Sequence, residues 1–226
     1  MKTLSSIRLI SALMISCVVA GCAAHTALEP VGKGNLDMNA GLGGPIVAAF
    51  GTHIPIPYLT VGANYGVDDR IDISGNLHLL SLAYSLAGVD AGGTWYPVIN
   101  DGPVPTLALG ARLTAFASLK RDIDERFRIV PTLTSTAAWR LGPGLIFTGL
   151  DLTIPLTRQT YDTAAVAVIL SPAIGYRWNL GARTRLYTEL RWQAVNVRSD
   201  QLAAEYSHPG GYGAIAPFVA FEWELR

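Results

Sequence analysis

VPTLALGARLTAFA, Val104 to Ala117, decides the fold. Leu107, Leu109, Ala111, Leu113 and Ala115 fall on one face of an extended chain, and Thr106, Ala108, Gly110, Arg112 and Thr114 on the other. A period of two places successive side chains on opposite sides of a strand, so this stretch has one face in an apolar environment and one in a polar environment.

The same alternation recurs on both sides of it. It predicts strands at approximately 35–43, 57–67, 69–79, 84–97, 104–118, 127–141, 144–156, 163–178, 183–196 and 212–225. The bounds of the first are open, because residues 43–57 could extend it, form a long loop or hold an extra short strand. Tight connections rich in turn formers, Val67-Asp68-Asp69-Arg70, Asn100-Asp101-Gly102-Pro103, Leu141-Gly142-Pro143-Gly144 and Leu180-Gly181-Ala182-Arg183, alternate with connections that are mostly longer and more polar. The longer ones are 44–56, 119–126, 157–162 and 197–211, with 80–83 as a short exception. Nine or more residues suffice for a tilted strand to cross a bilayer. An even number of antiparallel strands, with short turns at one end and longer loops at the other, is the pattern of single-chain outer-membrane barrels. The fold class expected is all-β, a single antiparallel up-and-down transmembrane β-barrel of about ten strands.

Composition agrees. Of 226 residues 50% are hydrophobic and 15% charged, where a soluble domain carries about 25% charged. Beyond residue 21 the longest unbroken apolar run, Ala164 to Leu170, is far short of the roughly 18 residues a spanning helix needs. Seventeen basic residues balance 17 acidic ones and no basic cluster is present, which sets nucleic-acid binding aside.

The N-terminus is an address. Lys2 and Arg8, an apolar stretch from Leu9 to Ala20 and small residues before Cys22 make an export signal. Val19-Ala20-Gly21-Cys22 resembles the lipobox of bacterial lipoproteins. That resemblance implies cleavage after residue 21, acylation of Cys22 and, with Ala23 rather than aspartate next, sorting to the outer membrane. Several acyl chains on one residue hold stably where one is marginal. The domains expected are therefore a signal peptide (1–21), a lipidated N-terminal tether (22–34) and a barrel (35–226). Cys17 leaves with the signal, so no disulfide and no cysteine-based metal site is expected.

Tyr65, Trp95, Trp139, Trp178 and Trp223 fall on the apolar face at one end of alternate strands, and Trp192 near the other end of its strand. Rings at headgroup level form such girdles. The polar face carries Asp37, Arg70, Asp72, Asp90, Arg112, Arg128, Arg140, Asp151, Arg177, Arg185, Glu189, Arg191, Glu222 and Glu224. Ten strands enclose a narrow interior, and buried charges must be paired. These balanced arginines and carboxylates predict a salt-bridge network that plugs the bore.

Candidates for chemistry are sparse. His53, His78 and His208 fall at the loop end near Asp162, Asp200, Glu205 and Ser207, where a hydrolytic or metal site could assemble; His25 lies on the tether. Nothing fixes their mutual distance, so no catalytic residue, metal or cofactor is expected. Asp68-Asp69 sits in a tight turn, and Gly41-Leu42-Gly43 lacks the helix a dinucleotide fingerprint requires.

Residues 35–226 resemble a small bacterial outer-membrane β-barrel. Many such barrels end in an aromatic residue, whereas this chain ends Trp223-Glu224-Leu225-Arg226. The function expected is a non-enzymatic surface barrel, lipid-anchored through Cys22, with loops 119–126 and 197–211 facing an unidentified partner or the medium. Its other partners would be outer-membrane lipid and the barrel-assembly and lipoprotein-sorting machinery. Two alternatives stay open: a narrow channel for small polar solutes, and a lipid-anchored periplasmic binder of an apolar ligand in the manner of lipocalins, which needs an apolar lumen.

Overall fold

The computed structural model describes residues 24–49, 51–83, 85–120, 127–156, 167–202 and 205–225. Residues 1–21, expected to be a signal peptide, together with Cys22, Asp162 and residues 121–126, lie outside them.

Ten antiparallel strands close into one barrel. In chain order they are β1 (Leu36–Gly43), β4 (Tyr58–Asp68), β5 (Ile71–His78), β6 (Leu86–Val98), β7 (Thr106–Ser118), β8 (Phe127–Leu141), β9 (Gly144–Thr153), β10 (Ile169–Asn179), β11 (Thr184–Arg198) and β12 (Tyr212–Leu225). Two short strands, β2 (Ile46–Ala49) and β3 (Thr52–Pro55), make a separate hairpin in the segment where the sequence left the structure open. The short connection after β5 is a one-turn helix, α1 (Leu79–Ala83). Each barrel strand pairs with its neighbour in sequence, and β1 closes the ring on β12, Leu36 opposite Leu225 through Gly43 opposite Phe218. Closure leaves no open strand edge, so the ladders continue around the whole ring, as a wall out of contact with water requires.

The alternation seen in β7 sets which way each side chain points. Leu109 and Leu113 face out, about half exposed, while Ala108, Thr114 and Phe116 are buried inside. The same holds around the ring for outward Leu77 (53% exposed), Leu133, Ile174 (55%), Leu190 and Val219. A continuous apolar belt of this extent is unstable in water and stable in hydrocarbon, which makes this a transmembrane barrel. Among the described residues no helix is long and apolar enough to cross a membrane; the strands make the crossing. Tyr65, Trp95, Trp139 and Trp178 are exposed outward, Trp192 and Trp223 are partly covered, and the Trp192 indole N–H donates to the Tyr212 carbonyl at 2.9 Å.

At the loop end the β2–β3 hairpin folds against the chain that follows β11. Val47 bridges Tyr206, Ala48 N–H donates to the Glu205 carbonyl and Ser207 N–H to the Ile46 carbonyl, each at 2.8 Å. Val47, Ile56, Tyr206 and Ala214 form a small apolar cluster there. At the turn end, β1 begins immediately after a segment that does not lead away from the barrel but back into it.

Candidate functional site: the barrel lumen

Residues 24–34, read from sequence as a tether, occupy the lumen instead. Leu28 is fully buried, packed with Ala24 against Ala138, Leu145, Phe147, Tyr187, Ala216, Phe218 and Ala220 from β8, β9, β11 and β12. These wall residues share the inward face with the charges, so the lumen carries an apolar patch as well as a polar lining. The segment turns at Lys33 and Gly34 and is tied to the wall by hydrogen bonds from Gly34 N–H to the Gly66 carbonyl (2.8 Å) and from Gly66 N–H to the Asn35 carbonyl (3.0 Å). A side chain at position 66 would run into the Gly32 carbonyl.

Charge holds the segment at two levels. Near the turn end Glu29 receives Arg177 and Arg140, the latter at 3.3 Å, and Val31 N–H donates to Asp72 Oδ2 at 3.1 Å. Deeper in the bore, His25 sits between two carboxylates. Its Nε2 lies 2.9 Å from Asp151 Oδ1 and its Nδ1 3.0 Å from Glu189 Oε2, while its backbone N–H donates to the same Glu189 oxygen at 2.8 Å. Arg191 completes the cluster, 3.1 Å from Asp151 Oδ2 and 2.7 Å from Glu189 Oε1, with its guanidinium 5.0 Å from the Phe218 ring centre. Burial opposes a charge on His25, but Glu189 and Asp151 outweigh burial and Arg191 together and raise its pKa from 6.5 to about 9. Two carboxylates facing an imidazolium and a guanidinium leave this buried cluster balanced, as its survival in a low-dielectric site requires.

The other charges anticipated in the interior divide into groups. Arg185 bridges Asp37 (2.8 Å) and Glu222 (2.6 Å), with Glu224 3.9 Å away, and Tyr187 donates its hydroxyl to Glu222 at 2.9 Å. Asp90 pairs with His78 Nε2 at 2.8 Å and accepts from Asn76 at 2.8 Å. Arg128 is partly buried at the loop end of β8, opposite Phe116 in register. Three residues depart from the expected network. Asp72 accepts from the Val31 backbone N–H and ion-pairs with none of the described basic groups. Arg70 lies exposed in the turn before β5, donating to the Pro97 carbonyl at 3.3 Å, because the turn carries it past the end of the bore. Arg112 faces the lumen but ion-pairs with none of the described carboxylates; Asp90 and Asp151 act on it only at longer range.

The sequence reading missed His25, Leu28 and Glu29 as lumen residues. The signal was present: 23–31, AAHTALEPV, is too apolar for a solvated linker, and its one acid and one histidine are four residues apart. The loop histidines find separate partners. His78 turns inward to Asp90, His208 Nδ1 accepts from Gly211 N–H at 3.0 Å, and His53 lies exposed on β3. Asp200 pairs with Arg198. His25, Asp151 and Glu189 converge, but the position among them that a metal cation would need is taken by the Arg191 guanidinium, and among the described residues no group of three or more such ligands could hold a metal ion.

No protein-family model and no curated protein matches this chain. Solved structures similar to it include the NanC porin, with 13% identity over 84% of this chain and 100% of that one at a TM-score of 0.47. The translocator domain of the autotransporter NalP from Neisseria meningitidis has 10% identity over 99% and 96% of the two chains, TM-score 0.45. An outer-membrane channel from Pseudomonas putida F1 has 10% identity over 89% and 99%, TM-score 0.45. Their activities do not carry over to this chain.

Proposed function

We propose that this chain is a non-enzymatic, lipid-anchored β-barrel of the bacterial outer membrane whose bore is closed by its own N-terminal segment. The observation that carries the proposal is residues 24–31 inside the lumen, held by Glu29 to Arg140 and Arg177 and by His25 to Asp151 and Glu189. Wall charges alone could line a pore; a length of backbone in the bore, with Leu28 packed against the wall, obstructs one. The lipid anchor rests on Val19-Ala20-Gly21-Cys22, and outer-membrane lipid with the assembly and sorting machinery are the partners it entails. The loop end, with the β2–β3 hairpin and residues 197–211, is the surface offered to a further partner.

Single-channel recording tests the closure. The intact chain in a planar bilayer should be nearly silent, and a chain whose residues 24–31 are replaced by a Gly-Ser linker of equal length should conduct. Equal conductance in the two would overturn the proposal. A narrow channel is the second reading, favoured by the polar space that remains beside the segment. The lipocalin-like alternative needs an apolar lumen, and this lumen is lined largely by charged, hydroxyl and amide groups.

A further inference from the structure

Among the described residues the shortest ladder of the ring joins β10 and β11, seven residue pairs between strands of 11 and 15 residues. Pairing ends at Ala173 opposite Arg191, although β10 starts at Ile169 and β11 runs on to Arg198. At the same height β11 parts from β12, with a register shift between Gln193 and Arg198, and Ala194 takes a φ of +53°, a left-handed conformation that turns the strand out of line. Side chains replace the missing ladder. Leu170 N–H donates to Asn196 Oδ1 at 2.9 Å, Asn196 Nδ2 donates to the Val168 carbonyl at 2.7 Å, and Ala194 N–H donates to Ser171 Oγ at 3.1 Å. Backbone N–H groups alternate sides along a strand, so the nitrogen of Pro172 faces β11 as that of Leu170 does, and proline has no hydrogen to donate.

This seam lies within the apolar belt. Leu170 is eight residues from Trp178 along β10; at about 3.3 Å per residue and a tilt of roughly 40° it sits some 20 Å nearer the loop end, inside a band about 25 Å tall. Ile174 and Leu190, each about half exposed, face hydrocarbon beside it. The lumen side is apolar as well: Ile169, Ala194 and Val197 cluster with Leu202, which also packs on the cluster of the β2–β3 hairpin. Unpaired backbone groups are costly in a bilayer, so the exposed Asn196 amide keeps the seam shut. Rotating that one side chain releases two of the three bonds, whereas parting a complete ladder means unzipping a strand. We infer that the wall opens laterally between β10 and β11 and admits an acyl chain of a membrane lipid to the apolar lining behind. The lipid is the occupant because the seam faces bilayer hydrocarbon and leads to a lining of the same character. The docked N-terminal segment lies toward the turn end, so this opening goes beyond closure of the bore and does not depend on it.

Photo-crosslinking of the full chain in phosphatidylethanolamine vesicles tests the opening, with a diazirine carried on the acyl chain of a fraction of the lipid and the adducts mapped by mass spectrometry. Outward Ile174 and Leu190 should be labelled in any case. Inward Ile169 and Val197 should be labelled too, while Ala173, inward on the same strand where the ladder is complete, should not. Asn196→Val removes two of the bonds across the seam and should raise labelling of Ile169 and Val197 roughly three- to tenfold, the range for losing one or two modest hydrogen bonds, with Leu190 unchanged. Heat-dependent gel migration reports whether the variant is folded. If Asn196→Val does not fold, Ser171→Ala replaces it, removing the acceptor of the Ala194 N–H, and should raise the same adducts about twofold or more. Adducts confined to outward residues, equal labelling of Ala173 and Ile169, or unchanged labelling in the folded variant would each overturn the inference and leave the seam as a fixed irregularity of the wall.

Discussion

His25 meets three of the lumen's charged groups at once, and its position has two consequences. Facing Asp151, Glu189 and Arg191, it has a pKa raised from 6.5 to about 9. A group whose pKa is higher when docked contributes fully to docking below 6.5 and loses that contribution as pH rises toward and past 9. The N-terminal segment should therefore be held most firmly at neutral and mildly acidic pH and loosen in alkali. The His25 ring resonances should titrate with a midpoint near 9, and thiol labelling of Ala27→Cys should accelerate over the same range. A midpoint near 6.5 would mean a solvated ring. The space for the ring comes from Gly149 on β9, where a Cβ would sit 3.0 Å from His25 Cε1. Gly149→Val should displace the ring from Asp151, cost about 1–3 kcal/mol in docking and shift the midpoint toward 6.5, while the barrel keeps its heat-dependent migration.

The segment as an element is held by packing and by charge, and the two can be separated. Leu28→Ala empties a fully enclosed apolar site and should weaken docking by about 2–4 kcal/mol without touching an ion pair. Glu29→Gln removes the charge that Arg177 and Arg140 share; because Glu29 is partly exposed, about 1–3 kcal/mol is expected. Hydrogen exchange at residues 24–31 measures both, and salt should narrow the gap between wild type and Glu29→Gln but not affect Leu28→Ala. The strands were easier to read than this element. A strand in a barrel wall has a partner on each side and a different medium on each face, so its alternation is written locally, and β7, β8, β9 and β12 begin and end within three residues of the expected bounds. The stretch 24–34 has no period, because its partners come from several strands distant in sequence: Asp72, Arg140, Asp151, Arg177 and Glu189. The β2–β3 hairpin was illegible for a similar reason, since its apolar residues pack on Tyr206 and Ala214 rather than on neighbours.

At the scale of the whole molecule, the segment's path bears on the lipid anchor. His25 is level with Glu189, the sixth residue of β11 counted from its turn end. At about 3.3 Å per residue and a tilt of roughly 40°, that is some 12–13 Å up the bore. The proposed closure and the proposed anchor belong to one chain, so acylation of Cys22 should leave residues 24–31 docked. Two preparations compare the states: the acylated chain, and Cys22→Ser exported through a non-lipoprotein signal. Both should be quiet in a planar bilayer and slow to label at Ala27→Cys, and carbonate washing should leave both with the membrane, because the outward apolar belt holds the barrel there without the anchor. Several acyl chains together contribute more than two ion-pair clusters and one buried leucine, at about 0.8 kcal/mol per buried CH₂. If docking strained the anchor, the lipid would win: conduction and ready labelling confined to the acylated chain would show that anchoring and docking exclude each other, and would overturn the proposal that one chain does both.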